Sequence, residues 1–143
     1  MSNPRYPTFR HWLNDQSLTR LPISPTLIVT ENRTAGYTTS STTYTPITGL
    51  SRDVTYQGDF LVWFNGVVEY DNDNASGPIS IFVNGTQVQG TEIEKATKKD
   101  IMTEVSILAM VTNLNEGDII DIRWRINSNS GTLHYGSLHT LKL

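Results

Sequence analysis

Apolar residues in this chain recur at every second position in short runs, and turn residues separate the runs. That period belongs to extended strands whose side chains point alternately to two faces. The clearest run is Phe60 to Val68: Phe60, Val62 and Phe64 fall on one face, Leu61 and Trp63 on the other. Asp71 to Gly77 reads as a turn and Ile79-Ser80-Ile81-Phe82-Val83 as the next strand. Asn84-Gly85 is the strongest short hairpin signal, with Thr86-Gln87-Val88 returning. Glu104 to Val111 places Val105, Ile107, Ala109 and Val111 on one face, and Asn115 to Asp118 turns the chain. Beyond it Ile120, Ile122, Trp124 and Ile126 oppose Ile119, Asp121, Arg123 and Arg125. Asn127 to Gly131 reads as a loop, and Leu138 to Leu143 as a closing strand.

Upstream the pattern is weaker. Leu27-Ile28-Val29-Thr30 opens the first strand, and residues 37 to 45 are Tyr, Thr and Ser, suited to exposed edge strands, before Pro46 and Gly49 interrupt. Residues 91 to 100 are polar and charged, fitting a surface loop or a helical turn. Eight to ten short strands without a long helix predict an all-β fold, an antiparallel two-sheet jelly-roll sandwich of about ten strands. No internal repeat points to a solenoid or propeller.

Residues 1 to 25 are expected to form an extended N-terminal arm, and residues 26 to 143 the jelly-roll domain. Pro4, Pro7, Pro22 and Pro25 oppose both helix and sheet pairing in the arm. Arg5, Arg10 and Arg20 against Asp15 give the arm +2, whereas the remainder has 8 basic and 13 acidic side chains, or -5. The arm also holds Tyr6, Phe9, Trp12 and Leu13, aromatic and apolar groups that an exposed tail would not normally keep in water.

A sandwich strand normally shows one face to the core and one to water. The strand at Phe60 to Val68 is apolar on both, so a second covering surface is expected, from another subunit or from the chain's own arm.

Composition narrows the function. The net charge of -3 argues against nucleic acid, which is held by basic residues. No cysteine is present, removing disulfides and thiolate chemistry. No export signal or apolar run of membrane-span length is visible, so synthesis in a host cytoplasm and no membrane partner are expected. The glycosylation-type triplets at Asn32, Asn74 and Asn84 then read as accidents of an Asn/Thr-rich chain.

Gly58-Asp59-Phe60-Leu61-Val62-Trp63-Phe64 resembles the central strand of the complement-head and tumour-necrosis-factor jelly rolls. Ile81-Phe82-Val83-Asn84-Gly85 is similar to that family's hydrophobic strand ending in Asn-Gly. Leu114-Asn115-Glu116-Gly117-Asp118-Ile119-Ile120 resembles its leucine, Gly-Asp and apolar strand, and Ser137-Leu138 to Leu143 its final strand. The resemblance spans roughly residues 27 to 143. It implies ten strands in two sheets and a compact homotrimer, with Leu61 and Trp63 at the interface. The chain lacks the family's aromatic-rich closing strand, collagenous stalk and secretion signal, which argues against extracellular signalling. Phage decoration proteins and fibre heads also resemble this fold.

No nucleophile elbow, His-Glu-x-x-His motif or phosphate loop occurs, so no catalytic residue, metal or cofactor is expected. His134 and His139 are five apart and should face opposite sides of a regular strand. Asp71, Asp73 and Asn74 form an oxygen-rich loop that reads as a solvated turn or a calcium site, without the glycine and distal glutamate of an EF-hand. Arg123 and Arg125 serve either a subunit contact or a local ion pair with Asp121.

The expected function is that of a bacteriophage structural protein: a trimeric decoration (cement) protein on the capsid surface, bound to the major capsid protein. Its trimer interface would use Leu61, Trp63, Arg123 and Arg125, and its capsid-anchoring arm Arg5, Tyr6, Phe9, Arg10 and Trp12. Alternatively the arm aromatics cover the end of their own sandwich. The other function is a tail-fibre or receptor-binding module recognising host carbohydrate through a loop of Tyr70, Asp71, Asp73 and Tyr135.

Overall fold

The computed structural model describes residues 29–95, 98–127 and 129–143. Two four-stranded antiparallel sheets contain β1 (Val29–Thr39), β2 (Thr45–Asp53), β3 (Gly58–Tyr70), β4 (Ile79–Val83), β5 (Thr86–Gln87), β6 (Thr103–Leu114), β7 (Ile119–Trp124) and β8 (Gly131–Lys142). Sheet I has the order β1-β8-β3-β6, and sheet II the order β2-β7-β4-β5. Eight strands therefore stand among the described residues against the ten expected. The predicted arm, residues 1–25, lies outside them.

Alternation sets the layers. From sheet I, Val62, Phe64, Val68, Val105, Ile107, Leu133 and Leu138 are buried, and they face Leu50, Ile79, Ile81, Ile120, Ile122 and Trp124 of sheet II. Trp124 fills one end, where its indole N–H and the Tyr70 hydroxyl both donate to the Gly77 carbonyl, at 3.2 and 3.4 Å. Only a residue without a side chain fits at position 77: a Cβ there would lie 2.5 Å from the Trp124 ring nitrogen and 2.7 Å from the Arg125 carbonyl.

The Asn84-Gly85 hairpin forms as predicted, joining β4 to β5 with Val83 opposite Thr86. Both turn residues have positive φ, 49° and 79°, as a two-residue hairpin with right-handed twist requires. The Asn84 side chain accepts from the Ile119 amide and donates to Asp118, whose second carboxylate oxygen accepts from the Asn115 amide. One hairpin is thereby fastened to the turn between β6 and β7.

Two boundaries differ from the sequence pattern. β2 begins at Thr45 and runs through Pro46 and Gly49, which had read as interruptions. It is an edge strand, where a missing N–H removes no ladder bond, and its register with β7 shifts between Pro46 and Ser51. β8 begins at Gly131 rather than Leu138, because its Gly131 to Ser137 half pairs with β3 on one side and β1 on the other despite weak apolar alternation. Residues 91–95 and 98–100 contain no helical turn.

Candidate functional site

The outer face of sheet I carries the surplus apolar surface. Along β3, Phe60, Val62, Phe64, Val68 and Tyr70 are buried inward, whereas Leu61, Trp63 and Val67 are half-buried on the outer side. The register sets Leu61 between Met110 and Leu141, and Trp63 between Leu108 and His139. Leu108 and Met110 are 68% and 61% exposed, very high for large apolar side chains on a strand. Leu61, Trp63, Asn65, Ser106, Ile107 and Leu108 line an open depression of about 430 Å³. Beside it, Val67, Lys95, Glu104 and Tyr135 border a second, more polar one of about 440 Å³.

At the centre of this face the Trp63 indole and the His139 imidazole stack, with centroids 5.0 Å apart and planes 7° from parallel. His139 Nε2 lies 3.1 Å from the Ser137 hydroxyl and 3.8 Å from a Glu31 carboxylate oxygen. Arg33 Nε donates to that same Glu31 oxygen. This bond holds the Glu31 carboxyl below the usual carboxylate range and raises the already high Arg33 pKa.

Arg123 and Arg125 stand elsewhere, on the outer side of sheet II, so one sheet face does not hold all four residues proposed for the trimer interface. Arg123 makes a two-pronged contact with Asp121, Nε to Oδ1 and Nη2 to Oδ2 both at 3.1 Å, and its guanidinium caps the Phe82 ring at 4.9 Å. Arg125 lies over Tyr44 at 5.2 Å, and Tyr44 meets the Phe82 ring edge-on while its hydroxyl donates to Glu92. Burial, then the Glu92 carboxylate, pushes the Tyr44 hydroxyl pKa well above its ordinary value. Ser80 and Thr91 bond each other at 2.8 Å beneath Gln87. Sequence alone offered no signal for Tyr44, Phe82 or Glu92, because they meet only when the 88–93 segment folds back over β4.

The predicted ligand loop does not assemble. Tyr70 is a core residue, 1% exposed, and burial raises its pKa; it presents no ring to a ligand. Tyr135 is exposed on the outer face of sheet I, opposite Val67, four residues along β8 from Gly131, which pairs with Tyr70. Asp71 accepts from the Ser130 amide and hydroxyl, at 2.9 and 2.7 Å, which lower its pKa. Asp73 accepts from the Lys99 amide at 2.9 Å. Their carboxylates thus serve different loops, and among the described residues no three His, Asp or Glu side chains are grouped as metal ligands. Arg5, Tyr6, Phe9, Arg10 and Trp12 lie outside the described residues.

The histidine parity needs correction. Register between β3 and β8 shifts between Val67 and Val68, leaving His134 as the extra residue of a bulge. A bulge resets alternation. His134 therefore reaches Glu69, which like Val67 lies on the outer side of β3, while His139 faces out at Trp63. The two rings share a side but keep separate partners.

No protein-family profile matches the chain, and no curated protein matches it. Solved structures do. A chain of the T13 viral particle of infectious bursal disease virus superposes with TM-score 0.64 at 12% identity, over 82% of this chain and 31% of that one. This chain thus spans about a third of the length of that particle protein. The globular domain of zebrafish complement 1qA matches with TM-score 0.51 at 10% identity, over 80% of this chain and 96% of that domain. Murine APRIL matches with TM-score 0.50 at 14% identity, over 80% and 100%. The fold is a two-sheet β sandwich similar to those of the complement 1qA globular domain and APRIL.

Proposed function

We propose that this protein is a structural component of a bacterial virus: a homotrimeric decoration, or cement, protein that sits on the outer capsid and stiffens it through contacts with the major capsid protein. The observation that carries this proposal is the open apolar face of sheet I, where Leu61, Trp63, Leu108 and Met110 lie side by side. Single exposed apolar residues are ordinary, but a contiguous group on one sheet face is the usual mark of a protein contact. Likeness of fold to a viral-particle chain supports a virion setting.

Three copies meeting through this face would form a closed ring, which buries the patch without leaving a free end. The arm would then act three times over. Arg5, Tyr6, Phe9, Arg10 and Trp12 have the composition of contact anchors, and linking three weak attachments raises their combined strength through effective concentration. Such a protein works by contact and needs no reaction or cofactor. Removing residues 1–20 is expected to abolish binding to shells and leave the mass of the oligomer's core unchanged. Full decoration by the truncated protein would rule out the arm as the anchor.

A second proposal has its own observation. Glu69, Asp71, Asp100, Ser130, Thr132 and His134 border a polar depression of about 220 Å³ at one end of the sandwich. Carboxylates and hydroxyls in that arrangement suit sugar hydroxyls, as a fibre tip reading host carbohydrate would need. A glycan array separates the two: specific binding lost on Asp100→Ala favours the fibre role, and silence favours decoration.

A further inference from the structure

Resting on the self-association proposed above, we infer that His139 makes the assembly acid-sensitive: subunits associate while its imidazole is neutral and separate once it takes a proton. The placement is specific. His139 borders the apolar face: it stacks on Trp63 of β3, whose far side meets Leu108 of β6, with Leu141 two residues along its own strand and Glu31 of β1 on its other side. Histidine is the side chain whose charge ordinarily changes between pH 5 and 8.

The charged groups that face it decide the sign. From β1 come Glu31, 3.8 Å away, and Arg33, which already holds the same Glu31 oxygen. From β3 come Trp63 and the uncharged Leu61 and Asn65; on β8 itself stand Ser137, Leu141 and Tyr135, and Tyr135 is the further titratable group. With a neutral imidazole, Glu31 and Arg33 cancel. With an imidazolium, one carboxylate serves two cations, and each subunit brings a surplus positive charge to the surface that association dries. An unpaired charge strongly resists leaving water. Stacking on Trp63 favours the cation, but that contact lies within one subunit and is present before association, so it changes little on assembly. Symmetry then repeats the surplus charge in every copy.

Sedimentation of the full chain at fixed ionic strength, at pH 7.5 and pH 5.5, tests this. We expect the association constant to be clearly lower at pH 5.5 than at pH 7.5. His139→Gln and His139→Phe should both remove that dependence; the Phe variant keeps a ring over Trp63 and carries the comparison if the Gln variant folds poorly. His134→Gln should keep it, because His134 belongs to the Glu69 pair. An oligomer equally stable at both pH values overturns the inference and leaves the self-association standing. So does unchanged pH dependence in both His139 variants. A monomer at both pH values overturns self-association and the inference together.

Discussion

The central part of the outer face of sheet II is covered by its own chain. Phe82 lies under Arg123 and against Tyr44, Arg125 covers Tyr44, Glu92 takes the Tyr44 hydroxyl, and Thr91 bonds the buried Ser80. The outer face of sheet I has no such cover among the described residues: Leu108 stands in solvent beside Trp63, Met110 beside Leu61 and Tyr135 beside Val67. Both sheets carry large apolar groups on the side away from the core. On sheet II charged or polar side chains are set against Phe82 and Tyr44, with hydrogen bonds completed locally, and Ile119 is left exposed at the margin. On sheet I the groups are left as a flat surface. The first arrangement stabilises a subunit; the second gains free energy only when another surface arrives.

The largest expected effect comes from placing a charge on sheet I. Leu108→Asp should leave folding nearly unchanged, since the side chain is mostly in water, yet weaken association more than a hundredfold, because about 3 kcal/mol or more is lost when an unpaired carboxylate is dried. Sedimentation and far-UV circular dichroism together read this; an unaltered oligomer would show that the contact lies elsewhere.

On sheet II the response should invert. Phe82→Ala removes the ring between Arg123 and Tyr44 and should cost about 3 kcal/mol of subunit stability in urea titration, with the mass unchanged. Asp121→Ala should cost less, about 1–3 kcal/mol, by stripping a half-buried guanidinium of its carboxylate. If either variant changed the oligomeric state instead, sheet II would also be an interface and the contrast would fail.

The smallest effect is at the acid limb, and it belongs to the turns. Asp71 and Asp118 accept hydrogen bonds as carboxylates, chiefly from Ser130 and from Asn115, so their folded pKa values lie below the ordinary one. On acidification the unfolded chain takes up these protons first. The stabilisation is therefore complete above about pH 4 and fades as pH falls through the folded values. In urea titrations, the difference between wild type and Asp118→Asn should shrink from pH 5 to pH 2; a constant difference would mean that the carboxylate charge contributes nothing.

Much of the fold was legible because period-two alternation survives where one face is buried. Phe60 to Val68 and Ile120 to Ile126 face as their sequence says, and Asn84-Gly85 turns as its two residues require. β2 was hidden because an edge strand tolerates Pro46, and the early half of β8 because Gly131 and Gly136 sit under Trp124 and Leu133 and break the apolar pattern. His134 escaped the parity rule through a bulge, which no single strand sequence announces. Of the candidate contact residues, Leu61 and Trp63 could be assigned a face from alternation, whereas their cross-strand partners Leu108, Met110 and His139 depend on register, a long-range property. Tyr70 was misplaced because it alternates inward with Val68 and continues the core past the expected end of its strand.

The most direct measurement is the solution mass of the full chain near pH 7.5 across the micromolar range. Association through sheet I predicts one species at three times the 16.0 kDa chain mass. A single 16.0 kDa species throughout that range, with Trp63 and Leu108 left facing water, would contradict it.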